Sequence, residues 1–157
     1  MAKEHEMATS VVDQTKQDQT HSSMMAWRVH EFGPPNVMRF EQVLRPTPGS
    51  SEVLVKVEAA GVGPWDGWIR AGKCALPQPL PLALGSDLSG EIVAVGPGVS
   101  DLYVGDQVYG VTNPRFIGAY AEYALAFAAM VSRKPTSLTY IEAASSCHCR
   151  DGMAGVV

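Results

Sequence analysis

The chain has 157 residues, 46% of them hydrophobic, with a formal net charge of −4 at pH 7, which suits one buried core in a cytoplasmic domain. Scattered Lys and Arg residues provide no basic field for a phosphate backbone, so no nucleic-acid partner is expected. No run approaches the roughly 18 apolar residues of a membrane span, residues 1 to 23 lack the apolar core of a secretory signal, and three cysteines make no disulfide framework.

Residues 1–24 are expected to form a disordered arm: they mix Lys, Glu, Gln, Thr and Ser without a hydrophobic period, and such a segment buries too little to offset the entropy of ordering. A transit peptide would be rich in Arg and poor in acids, whereas Glu4, Glu6, Asp13 and Asp18 stand here. From Met25 the pattern changes. "MAWRVHEFG" and "VMRFEQVLRP" are bounded by Gly33-Pro34-Pro35 and Pro46-Thr47-Pro48-Gly49, as two strands joined by a turn would be, with His30 inside the first.

"EVLVKVEAAGV" alternates: Val53, Val55, Val57 and Ala59 share one face, and Leu54, Lys56 and Glu58 the other, the period of a strand with one face in a core. "GEIVAVGPGV", "GDQVYGV" and "GAYAEYALAF" repeat the theme. Two stretches read as helices: "GPWDGWIRAG", opened by Pro64 and closed by Gly72, and "TSLTYIEAASS", preceded by Pro135 and started by a Thr or Ser cap. Asp66 and Arg70, four apart, suggest an i,i+4 pair. Many short strands with few helices indicate a closed or nearly closed β-barrel.

The ordered motifs "RVHEFGPPNVMRFEQV", "EVLVKVEAAGV", "DGWIRAG", "LPLALGSDLSGEIVAVGPGV", "GDQVYG" and "GAYAEYA" resemble the catalytic, GroES-like domain of the medium-chain dehydrogenase/reductase superfamily, most closely its zinc-independent quinone oxidoreductase-like branch. The resemblance implies a mainly β fold, a partly open GroES-like barrel with a few short helices over residues 25–146. It also implies a companion Rossmann domain, which this sequence is expected to lack. Gly96-Pro97-Gly98 follows a strand but is followed by "VSDLYVGDQVYG", with no amphipathic helix for a pyrophosphate, so it is read as a barrel turn.

Zinc-dependent relatives carry a Cys two residues after the Gly of "AAG" and a His in "GHE". Gly63 and Ser86 stand at those positions, and neither is a normal zinc ligand, so no metal site is expected. Asp87, in the same loop, is read as satisfying backbone N–H groups. The chemistry the resemblance implies without zinc is hydride transfer from NADPH or NADH to a quinone or enone substrate. From this domain the family contributes the loop and helix matching "GVGPWDGWIR", which makes Gly63 and Trp68 the candidate cofactor-binding residues, with no catalytic residue assigned. An Asn often stands where Gly63 is, so cofactor contacts carried over from the family weaken there. Trp68 offers either a flat wall for a ring or plain helix packing. The full-length family implies a homo-oligomer.

The tail, residues 147–157, departs from the family's apolar continuation. Read from the second base of each codon pair, Met153-Ala154 gives only Trp, and the neighbouring pairs admit "TAWQAL", so a shifted reading frame near Ser146 is expected. Cys147-His148-Cys149 would then carry no designed chemistry, since zinc needs about four ligands. The function expected is the catalytic domain of an oxidoreductase, truncated before its nucleotide-binding domain and inactive alone. The alternatives are a non-catalytic β-barrel interaction module or an unstable fragment, whose uncovered apolar surface would favour aggregation.

Overall fold

The computed structural model describes residues 22–146; the Cys147-His148-Cys149 cluster and the rest of the tail lie outside them, as does the expected arm up to residue 21. Strand β1 (Ser23–Val29) begins inside the stretch assigned to that arm. Ser23 pairs with Leu44 and Met24 with Val43, and Met24 is buried, so the ordered domain starts before Met25. Packing of one methionine decides the boundary.

The partner of β1 is β2 (Met38–Leu44), antiparallel and reached through a 3₁₀ turn at Pro35–Val37. His30 falls just beyond β1 rather than within it; its Nε2 meets the Glu41 carboxylate at 2.9 Å. β3 (Glu52–Ala60) follows, then helix α1 (Pro64–Arg70). The two-residue strand β4 (Leu82–Ala83) pairs with the end of β1. Next come β5 (Asp87–Val95), β6 (Gln107–Val111), β7 (Tyr123–Phe127) and β8 (Val131–Arg133), and helix α2 (Tyr140–Ser146) ends the described residues.

These strands form a three-stranded sheet, β2-β1-β4, and a five-stranded sheet, β7-β3-β5-β6-β8. All pairings are antiparallel. The sheets join where Ala26 bridges Ala121, Trp27 N–H donates to Tyr120 O and Glu122 N–H to Met25 O. They do not close on each other, so the barrel is partly open.

The inner face of the larger sheet carries the main core, with Val53, Val55, Leu88, Ile92 and Val108 fully buried. Alternation along β3 is incomplete. Leu54, on the opposite face, is only 3% exposed, flanked across the strands by Ala94 and Leu125. A second cluster of Val29, Ile69, Leu82 and Leu84 ties α1 to the smaller sheet. Burying Ile69 contributes about 2–3 kcal/mol and fixes which face of α1 looks outward. Gly96-Pro97-Gly98 forms the expected turn: Gly96 N–H donates to Glu52 O, Ser51 N–H to Pro97 O, and Gly98 takes φ +83°.

Candidate functional site

The site is built where β3 ends and α1 begins. Gly63 is the N-cap of α1 in an extended conformation, and Pro64 follows at the first helical position, where its missing N–H costs nothing. Asp66 reaches back to accept the Gly63 N–H at 2.8 Å. At the other end Gly33 N–H donates to Arg70 O at 3.0 Å, and Arg70 Nε donates to Gly33 O at 3.2 Å. The helix is therefore clamped at both ends, and Asp66 and Arg70 do not form the i,i+4 pair expected of them. Each has a better partner: a capping amide for the carboxylate, a loop carbonyl for the guanidinium.

Asp66 Oδ2 also accepts the Tyr120 hydroxyl at 2.9 Å, a link spanning 54 residues of sequence. Asp66 is 5% exposed. Burial pushes its carboxyl above the ordinary aspartate range, and the Gly63 and Tyr120 donors oppose that rise. Burial, with the Asp66 charge beside it, pushes the Tyr120 phenol well above its ordinary range. Tyr120 is held by its backbone as well, donating to Leu84 O and accepting from Trp27 N–H. Its ring lies on Gly85, where a Cβ would sit 2.2 Å from Cδ1 and where φ is +86°; only glycine suits both conditions.

Tyr120 forms part of the wall of an open groove of about 650 Å³ between the sheets. Trp27, Met38, Val57, Ala60 and Val62 supply much of the rest, so the lining is chiefly apolar. Phe40 stacks obliquely on Trp27, with ring centroids 5.1 Å apart.

Of the two residues proposed from sequence, Gly63 sits at the helix cap and Trp68 on the outward face of α1. Trp68 is 56% exposed, so it is not a core residue; its indole is an open flat surface. Asp87 heads β5 instead of sitting in a turn, and it accepts the Ser86 hydroxyl at 2.9 Å. Ser86 Oγ in turn accepts the Trp65 Nε1–H at 3.1 Å. The Trp65–Ser86 and Tyr120–Asp66 bonds escaped the sequence reading because they join distant segments. The available signals were two aromatics flanking "DG" and the polar "GSD" between apolar runs. Among the described residues no group of three His, Cys, Asp or Glu side chains is placed to hold a metal ion, and no helix is long and apolar enough to cross a membrane.

Two antiparallel sheets forming a partly open barrel, with a short helix clamped across one end, define the GroES-like fold of the medium-chain dehydrogenase/reductase superfamily. The chain belongs to the alcohol dehydrogenase GroES-like domain family, which it matches over residues 49–136. It is similar to a quinone oxidoreductase of Lama guanicoe, 42% identical over 123 residues that cover 78% of this chain and 37% of that protein. Among solved structures, the quinone oxidoreductase from Coxiella burnetii superposes with a TM-score of 0.74 at 33% identity, covering 78% of this chain and 40% of that one. A mycobacterial protein solved in complex with NADPH gives a TM-score of 0.70 at 39% identity, over 77% of this chain and 35% of that one. The chain thus spans 37% of the length of the curated relative it matches.

Proposed function

We propose that this chain is the catalytic domain of a zinc-independent, NAD(P)H-dependent oxidoreductase of the cytosol, acting on a quinone or an α,β-unsaturated carbonyl. The observation that carries the reading is the apolar groove of about 650 Å³ between the sheets, in a chain similar to quinone oxidoreductases. A flat ring sheds water against such walls, and water exclusion favours hydride transfer over side reactions.

The reduced nicotinamide, when bound, supplies the hydride. This chain's own residues bind and orient. Trp68 presents an open indole face, and Trp27 and Met38 wall the groove; all three suit a planar ring. Gly63 offers no side chain, and its N–H is committed to Asp66. The Tyr120 hydroxyl is likewise committed to Asp66, so Tyr120 faces the groove with its ring and is no proton donor to an acceptor. The NADPH complex of the mycobacterial relative favours NADPH over NADH. Zinc does not fit: positions 63 and 86 carry neither thiolate nor imidazole, and the Trp65 indole lies between them.

A second reading, a barrel that docks on another protein surface without catalysis, is favoured by Val62, Trp68 and Ile141, which are 85%, 56% and 75% exposed. One assay separates the two. Residues 22–146 replace their counterpart in the Coxiella burnetii enzyme, and NADPH oxidation by a quinone is followed through the loss of cofactor absorbance. Turnover above the protein-free rate is expected. A chimera that folds, by circular dichroism, and does not turn over contradicts the catalytic reading.

A further inference from the structure

The indole of Trp65 folds back over Gly63. A Cβ built on Gly63 would lie 2.0 Å from Trp65 Cζ2 and 2.2 Å from Cε2, so the ring takes up the volume that any side chain at position 63 would need. The polar edge of the same ring is anchored: Nε1–H donates to Ser86 Oγ at 3.1 Å, and the Ser86 hydroxyl donates to Asp87 Oδ2 at 2.9 Å. Ser86 and Asp87 are buried, at 0% and 3% exposure. Moving the indole away would strip Ser86 of a partner in a place water does not easily reach, which resists displacement. Glycine at 63, indole at 65 and serine at 86 therefore form one unit, although 21 residues separate the last two.

Resting on the reading proposed above, we infer that Trp65 is the specificity-determining residue of this site: its indole fills the depth between Gly63 and Ser86 and stops a ring-shaped carbonyl acceptor at the surface of the loop. Trp68, on the outward face of the helix, leaves that depth untouched. Shortening Trp65 opens a slot of indole shape with one hydrogen-bond acceptor, Ser86 Oγ, at its far end. Two-ring acceptors then enter where one-ring acceptors had sufficed.

The test uses the 157-residue chain carrying Trp65→Ala, melted in rising concentrations of indole. Indole is expected to raise the midpoint of Trp65→Ala progressively, as a ligand of the folded state does, and to leave the unsubstituted chain unchanged. Adding Ser86→Ala should weaken the indole response about tenfold, since the anchoring acceptor is gone. Binding of α-tetralone relative to cyclohexanone, carbonyl compounds without a quinone's reactivity toward thiols, should rise about tenfold in Trp65→Ala. No indole response in Trp65→Ala, an equal response in the unsubstituted chain, or an unchanged ring preference overturns the assignment.

Should Trp65→Ala fail to fold, Gly63→Ala in a Trp27→Phe/Trp68→Phe background tests the same contact by expelling the one remaining indole. Red-shifted emission and easier acrylamide quenching are expected there, and unaltered emission overturns the assignment. If the slot behaves as described while the hydride assay shows no turnover, the oxidoreductase reading fails and the role of Trp65 in closing the slot stands.

Discussion

Tyr120→Phe removes one hydroxyl and leaves its ring where Gly85 already makes room for it. The lost group donates to Asp66 Oδ2 at 2.9 Å, and Asp66 is 5% exposed, so water does not readily take its place. A hydrogen bond to a charged acceptor contributes about 1.5–3 kcal/mol net. The Gly63 N–H stays on the same oxygen at 2.8 Å, which keeps the expected loss near the lower end, about 2 kcal/mol. For a domain of this size that is a fall of about 6 °C in Tm. Urea and thermal denaturation at neutral pH would measure it. Burial already raises the Asp66 pKa and the Tyr120 bond opposes the rise; without that bond the carboxyl rises further, so the deficit should shrink as pH falls and Asp66 takes up a proton. A deficit below about 0.5 kcal/mol at neutral pH, or one that grows toward acid, would mean that the Tyr120 hydroxyl does not stabilise a charged Asp66.

Asp66→Asn should flatten part of the dependence of stability on pH. A carboxyl whose folded pKa is raised contributes stability that is fully present below its unfolded pKa and lost as pH rises through the folded value, so the wild type should weaken relative to the variant as pH climbs out of the carboxylate range; urea midpoints across that window check it. Gly90→Ala would place a Cβ 2.0 Å from Lys56 O and 2.8 Å from Val55 Cγ1, between paired strands, and should destabilise by about 3 kcal/mol in chemical denaturation. Thr139→Ala removes the cap of α2, where Thr139 Oγ1 accepts from Glu142 N–H at 3.2 Å and Glu142 Oε2 accepts from Thr139 N–H at 2.8 Å. About 1 kcal/mol should be lost, visible as faster amide exchange in α2.

The longer strands and both helices were legible because each rests on a local signal: alternation in "EVLVKVEAAGV", Pro64 and Gly72 around α1, a Thr ahead of "YIEAASS". β4 and β8 were not, since two or three residues are too few to show a period. The burial of Leu54 was also hidden. Both faces of β3 are covered at that point, and alternation reports only one. The site was half legible. Family motifs led to Gly63 and Trp68, but the bonds that shape the site, Tyr120 to Asp66 and Trp65 to Ser86, are long-range pairings with no periodic trace. Asp66 and Arg70 show the converse: spacing suggested a pair, and each found a stronger partner in the loops that clamp the helix.

The hydride transfer proposed for this groove needs no metal. Its most direct test is the rate of NADPH-dependent quinone reduction by the barrel joined to a relative's nucleotide-binding half, measured before and after exhaustive zinc chelation and again after zinc is added back. One unchanged rate through all three conditions is expected. No rate at all, or a rate that chelation removes and zinc restores, contradicts it.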